Sequence, residues 1–86
     1  MRLKSNYITQ IIDNTQFLVG VGNDSFKGLV KSNATAAMIV DCLKEDTTVD
    51  KITDALYERY DAPRERILTD VERIVNALRE IGAIEE

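Results

Sequence analysis

The sequence predicts an α+β fold in which a three-stranded antiparallel β-meander is followed by three helices. Two observations lead to this prediction. Apolar residues recur with a period near two before residue 33 and with a helical period after it. Turn-forming residues interrupt the first part twice, and a proline breaks the second part once. Because 86 residues suffice for one hydrophobic core, we expect a single domain spanning residues 1–86.

The three predicted strands are rich in β-branched and aromatic residues. The first strand stops at Asp13-Asn14, which is a two-residue turn signal. A cluster of small polar residues at positions 22–25 separates the second strand from the third. The predicted strands are Tyr7–Ile12, Thr15–Val21 and Phe26–Lys31.

Helix signals begin at Asn33, a residue type that favours the N-cap position. Gly82 favours the left-handed conformation that ends a helix. Between these limits we predict one helix over Ala34–Lys44, a second beginning after Thr47 or Thr48, and a third running from Pro63 to about Ile81.

The third helix has an apolar face that is wider than one packing contact requires. Leu68 and Val75 extend the main seam sideways, and Glu72 and Arg79 lie beside them. This helix is either the central one of a small domain or a wall of a groove for a partner segment. The seam consists of Ile67, Val71, Ile74, Leu78 and Ile81.

Composition excludes several kinds of chemistry. The chain has no His and one Cys, so it offers no Cys/His metal site, no Cys–His nucleophile and no internal disulfide. There is no Gly-rich phosphate loop, and we interpret Cys42 as a small buried hydrophobe. No apolar run approaches the roughly 20 residues of a membrane span. We therefore expect a cytoplasmic protein that is not an enzyme, needs no cofactor and binds no membrane.

The order of elements is that of a winged helix-turn-helix domain, which suggests DNA binding as one function. The charge distribution argues against it, because residues 47–86 carry six basic and ten acidic residues. The arginines of the third helix are interleaved with Asp and Glu, a pattern typical of surface ion pairs. A winged-helix transcriptional regulator is thus the alternative prediction, and nucleic acid is not the expected partner.

The third strand lies at an edge of the predicted meander. Such an edge is either protected against pairing or open to an extended peptide that adds as a further strand. Lys27 and Lys31 suit either role, since they guard an edge or attract a peptide with acidic residues.

Several segments together resemble the PqqD family, and the resemblance covers nearly the whole chain. The matching segments are Phe26–Ile39, Leu43, Thr48–Ile52, Leu56, Tyr60–Asp61, Asp70–Val71 and Leu78–Ile84. The resemblance implies a peptide chaperone, a recognition element that binds the leader segment of a ribosomally made precursor peptide. The leader would add as a strand beside the third strand, in a cleft closed by the third helix. The partner would be a modifying enzyme, commonly a radical S-adenosylmethionine protein.

Carried over to this chain, the resemblance implies a set of peptide-binding residues. They are Phe26, Lys27, Gly28, Leu29, Val30, Lys31, Leu68, Val71, Glu72, Val75 and Arg79. Ser32 stands where members that serve pyrroloquinoline quinone synthesis usually have Leu, which favours a different modified peptide. Because the meander has a free edge, we expect a monomer or a domain-swapped dimer.

Overall fold

The structure is a computed structural model that describes residues 1–21 and 29–86, and for residues 29 and 30 the backbone alone. No helix in these ranges is long and apolar enough to cross a membrane. The elements are β1 (Arg2–Leu3), β2 (Tyr7–Ile12), β3 (Thr15–Gly20), β4 (Leu29–Ser32), α1 (Ala34–Cys42), α2 (Val49–Arg59), α3 (Arg64–Glu80) and β5 (Ile84–Glu85).

The predicted meander is confirmed. Its strand order is β2-β3-β4, and both pairings are antiparallel. Asp13 and Asn14 have φ angles of 52° and 63°, as a tight two-residue hairpin with the right-handed strand twist requires. The predicted first strand has the observed bounds, and the second ends one residue early. Residues 26–28 of the predicted third strand lie outside the described residues.

The three predicted helices are also confirmed, although α1 ends at Cys42, two residues before the predicted end at Lys44. Asn33 Oδ1 accepts a hydrogen bond from the Ala36 N–H at 2.8 Å, which satisfies one of the free donors at the start of α1. Thr48 Oγ1 caps α2 in the same way, at 3.2 Å from the Lys51 nitrogen. Gly82 follows α3 with a φ of 77°, a left-handed conformation that glycine adopts without strain.

The helices cover one face of the meander. Directly paired residues share a face, and Tyr7, Leu18 and Ser32 on the inner face are buried. Ile8 and Ile12 on the outer face are 46% and 47% exposed. The inner face and the helices thus form one core, and its fully buried members (at most 2% exposed) include Leu18, Ile39, Val40, Leu43, Ile52, Leu56, Val71 and Val75.

A small second sheet, which we did not predict, joins the two ends of the chain. β1 pairs antiparallel with β5, so that Arg2 faces Glu85 across the pair. The N-terminal ammonium donates hydrogen bonds to Asp46 Oδ1 at 2.8 Å and to the Thr47 carbonyl at 2.9 Å. This ammonium group holds the pKa of Asp46 below its usual value.

One long-range hydrogen bond fixes the end of α3 against the meander. The Tyr7 hydroxyl donates to the Ile81 carbonyl at 2.9 Å. Because Tyr7 begins β2, this bond sets how far α3 lies from the sheet at its C-terminal end. The position of α3 relative to β4 then determines whether a groove is left between them.

Candidate functional site

A groove of about 200 Å³ lies where β4, α1 and α3 meet. Its floor is apolar and consists of core side chains, namely Leu18, Val40 and Leu78. Small residues on its two helices, Ala36 and Ala77, leave the space open. The groove is therefore a place where an apolar side chain from another molecule can be removed from water.

The strand beside this groove is an outer strand of its sheet. β4 pairs with β3 on one side, and on the other side it has no strand partner among the described residues. Lys31 and Ser32, the last two residues of β4, line the groove. An extended peptide could thus hydrogen-bond to the β4 main chain and place alternate side chains into the groove.

Two cations stand at the rim of the groove. Lys31 is exposed, and the Arg73 side chain is 70% exposed. An Arg73 guanidinium nitrogen lies 3.7 Å from Asp70 Oδ1, which is within ion-pair range and beyond the usual hydrogen-bond length. The lining residues include no Asp or Glu, so the formal charge at the groove is positive.

The α3 residues predicted for the site do not line this groove. Val71 and Val75 are fully buried in the core and are not among the residues that line the groove. Arg79 lies on another side of the helix, where Nε donates to Glu86 Oε1 at 2.7 Å. Leu68 is half-buried and Glu72 is exposed.

The α3 wall of the groove is instead formed by Arg73, Ile74 and Ala77. Each residue of a helix is rotated by roughly 100° from the one before it. By this rotation Arg73, Ile74 and Ala77 lie on one flank of the apolar seam, and Leu68, Glu72 and Arg79 lie on the other. The predicted α3 residues and the α3 residues that line this groove thus lie on different flanks of the helix, and a peptide contact on the predicted flank stays a prediction. Among the predicted strand residues, Lys31 lines the groove, Leu29 and Val30 belong to β4, and Phe26, Lys27 and Gly28 lie outside the described residues.

Sequence reasoning missed the alanines and Arg73. A signal for them exists, because small residues on two helices that pack together are where space for a ligand can remain. Ala36 and Ala77 are such residues, but periodicity alone does not indicate that α1 and α3 bring them together. Ile74 was predicted as part of the seam and is in fact partly exposed at its border.

A second groove, of about 180 Å³, lies nearer the start of α3. Tyr60, the C-cap residue of α2, is 37% exposed and lines this groove together with Leu56 and Ile67. Its lining contains no strand residue. The first groove is therefore the better candidate for binding an extended peptide.

The described residues also bear on catalysis and metal binding. Within residues 1–21 and 29–86, no three residues among Cys, Asp and Glu are arranged to hold a metal ion. Cys42 is partly buried against the core. Burial raises the pKa of the Cys42 thiol, and the neighbouring Asp41 charge adds to this effect. The thiol is thus held in its protonated, weakly nucleophilic form, as expected for a small hydrophobe.

Comparisons with known proteins agree with this geometry. Two solved structures share the fold: TbiB1 in complex with the TbiA(beta) leader peptide, and a lasso peptide synthetase B1 complexed with the leader peptide. The first has a TM-score of 0.83 at 20% identity and covers 99% of this chain and 95% of its own. The second has a TM-score of 0.80 at 24% identity and covers 99% and 96%. No curated protein sequence matches the chain. The family model of coenzyme PQQ synthesis protein D (PqqD) matches residues 21–84, and the chain therefore belongs to the PqqD family.

Proposed function

We propose that the protein is a non-catalytic adaptor that binds the leader segment of a ribosomally made precursor peptide. One observation carries this proposal: in a PqqD-family fold, the β4 edge, which has no strand partner within residues 1–21 and 29–86, lies beside an apolar groove. The two structural neighbours were both solved with a leader peptide bound, which supports the same class of ligand.

In the proposed mechanism the leader adds to β4 as a fourth strand of the sheet. Its main chain supplies hydrogen bonds, and an apolar side chain enters the groove above Leu18, Val40 and Leu78. The leader is flexible before it binds, so part of the binding free energy is spent on ordering it. We expect affinity near the micromolar range, which corresponds to roughly −8 kcal/mol.

The bound leader is then presented to a modifying enzyme, for which we propose a radical S-adenosylmethionine protein in the cytoplasm. The adaptor and its enzyme act on a modified peptide other than the quinone precursor. The binding unit is one copy of the chain, a single domain over residues 1–86. A domain-swapped dimer that used the β4 edge would compete with the leader for the same hydrogen bonds.

The proposed binding residues combine the strand predicted from sequence with the helix flank seen in the structure. The strand contributes Phe26–Lys31, of which residues 29–31 are described. The helix flank contributes Arg73, Ile74 and Ala77.

The test is a titration of the isotope-labelled protein with synthetic leader peptides from the small open reading frames nearest its gene, followed by NMR. We expect saturable amide shifts on residues 29–33 and 73–78. Shifts confined to the Leu68, Glu72 and Arg79 flank would place the peptide elsewhere. Salt-sensitive shifts on α3 with duplex DNA, and none with any leader, would favour the regulator and refute the adaptor.

Two matched variants distinguish an effect on the groove from the general effect of losing apolar surface on leader affinity. Ile74→Asp puts a charge at the border of the groove, and we expect leader affinity to fall about tenfold or more. Ile8→Asp makes the same change on the outer face of β2, where Ile8 is 46% exposed, and we expect less than about a twofold effect. Equal effects of the two variants would refute the assignment of the groove.

A further inference from the structure

We propose that the groove selects leader segments that carry a carboxylate beside their apolar anchor, and that Arg73 binds this carboxylate. While the groove is empty, Arg73 is ion-paired with Asp70 instead. This inference rests on the proposed function and names the chemical class of the peptide. Lys31 also lines the groove, but it pairs with Phe17 and so belongs to the outer face of the meander, which leaves Arg73 as the receiving cation.

The charge of the groove differs from that of the whole chain. The chain has a net charge of −4, so at long range it repels an acidic peptide. At the groove, the charged lining residues are Lys31 and Arg73, and both are positive. The groove therefore attracts an acidic peptide although the net charge of the chain repels it. Such local charge complementarity favours one orientation and one class of peptide.

Arg73 is held more loosely than the ion-paired arginines on either side of it. Arg79 Nε donates to Glu86 Oε1 at 2.7 Å and a second guanidinium nitrogen donates to Asn76, while Arg64 hydrogen-bonds to Asp54. Arg73 reaches Asp70 at 3.7 Å without a hydrogen bond of normal length. An ion pair this exposed contributes little to stability, so a peptide carboxylate can replace Asp70 at small cost.

The planar guanidinium of Arg73 also suits the incoming group. It presents parallel N–H donors that match the two oxygens of a carboxylate, which gives shorter and stronger hydrogen bonds than the present contact with Asp70. Asp70 lies three residues before Arg73 on α3, and its side chain is 42% exposed. It thus remains close enough to repel a peptide carboxylate after the exchange.

Substituting Arg73 and substituting Asp70 should change the affinity for an acidic leader in opposite directions. Arg73→Gln removes the receiving group, so the acidic leader should bind about five- to tenfold more weakly. Asp70→Asn frees Arg73 and removes a like charge, so the same leader should bind about two- to threefold more tightly. A purely structural role for the pair would make both variants weaken binding, or leave it unchanged.

The experiment uses fluorescence anisotropy with the leader peptide that saturates the parent protein in the NMR titration. The peptide is made in two versions, one natural and one with the Asp and Glu of its bound segment replaced by Asn and Gln. We expect Arg73→Gln and Asp70→Asn to change the affinity of the natural peptide by the factors above and that of the neutral version by less than about twofold. Arg64→Gln, which alters an α3 arginine that pairs with Asp54 and does not line the groove, is the control and should leave both affinities unchanged.

The outcomes distinguish this inference from the proposed function. A leader that saturates the groove but contains no carboxylate in its bound segment overturns the inference alone. The same holds if the two variants act equally on the natural and the neutral peptide. If no leader binds the parent protein, the proposed function falls and the selection of a carboxylate falls with it.

Discussion

The two faces of α3 differ in apolar character and have different roles in the structure. One face, which we call the core face, carries Ile67, Val71, Val75 and Leu78, each at most 5% exposed. The groove face carries Arg73, Ile74 and Ala77 beside β4. Periodicity identifies the apolar stripe of a helix, but the side of the stripe that adjoins a binding site depends on how the helix is docked. For α3 that docking is fixed by contacts far away in sequence, such as the hydrogen bond from Tyr7 to the Ile81 carbonyl.

The largest expected effect comes from placing the same charge on each of the two faces. Val75→Asp buries a carboxylate without a partner at a fully buried position, and we expect a loss of several kcal/mol, enough to unfold most of a domain whose total stability is about 5–15 kcal/mol. Ile74→Asp, one residue earlier on the groove face, should stay folded. Thermal unfolding followed by circular dichroism measures both.

The same two variants can also contradict the assignment of Val75 to the core face and of Ile74 to the groove face. A Val75→Asp protein that melts with the parent would mean that the core face is open to water. An Ile74→Asp protein that fails to fold would mean that Ile74 belongs to the core, in which case its effect on leader binding would say nothing about the groove.

A moderate effect is expected at the N-cap of α1, which lies at the groove. Asn33→Ala removes the hydrogen bond to the Ala36 N–H and should cost about 1 kcal/mol, or roughly 4–8 °C in melting temperature. Asn33 also lines the groove, so leader affinity should fall by about two- to threefold as the first turn of α1 frays. Differential scanning calorimetry and the leader titration measure the two effects.

Thr48→Ala is the matched control, because Thr48 caps α2 with the same kind of hydrogen bond and does not line the groove. It should lower the melting temperature by a similar amount and leave leader affinity within about twofold. If both cap variants weaken leader binding equally, the effect of Asn33→Ala is one of global stability and the local role of α1 is refuted.

Local signals in the sequence were enough to predict the meander and the helix ends. Asp13-Asn14 and Gly82 have the positive φ angles that their residue types favour, and Asn33 and Thr48 form the caps expected of them. Each of these features depends on a few neighbouring residues. They are therefore readable without knowledge of the rest of the chain.

Features that depend on distant contacts could not be predicted. The β1–β5 sheet pairs Arg2 with Glu85, and strands of two residues carry no period to detect. For a related reason, periodicity could not indicate that Arg73 and Ala77 line this groove. Val75 and Ile74 both read as apolar positions of one helix, and which of them is buried is decided by α1, α2 and the sheet together.

The smallest expected effect concerns a charge pair outside the groove. The N-terminal ammonium lowers the pKa of Asp46, so the folded state favours the carboxylate form more than the unfolded state does. This stabilisation is present above the ordinary Asp pKa of about 3.9 and is lost as the pH falls through the lowered folded value. Urea unfolding should thus separate the parent from Asp46→Asn slightly and equally at about pH 7 and pH 5, and the difference should shrink toward about pH 3. A difference that grows with acidity would contradict this pairing. Leader affinity should not differ between the two proteins at pH 5–7, because Asp46 is exposed and does not line the groove.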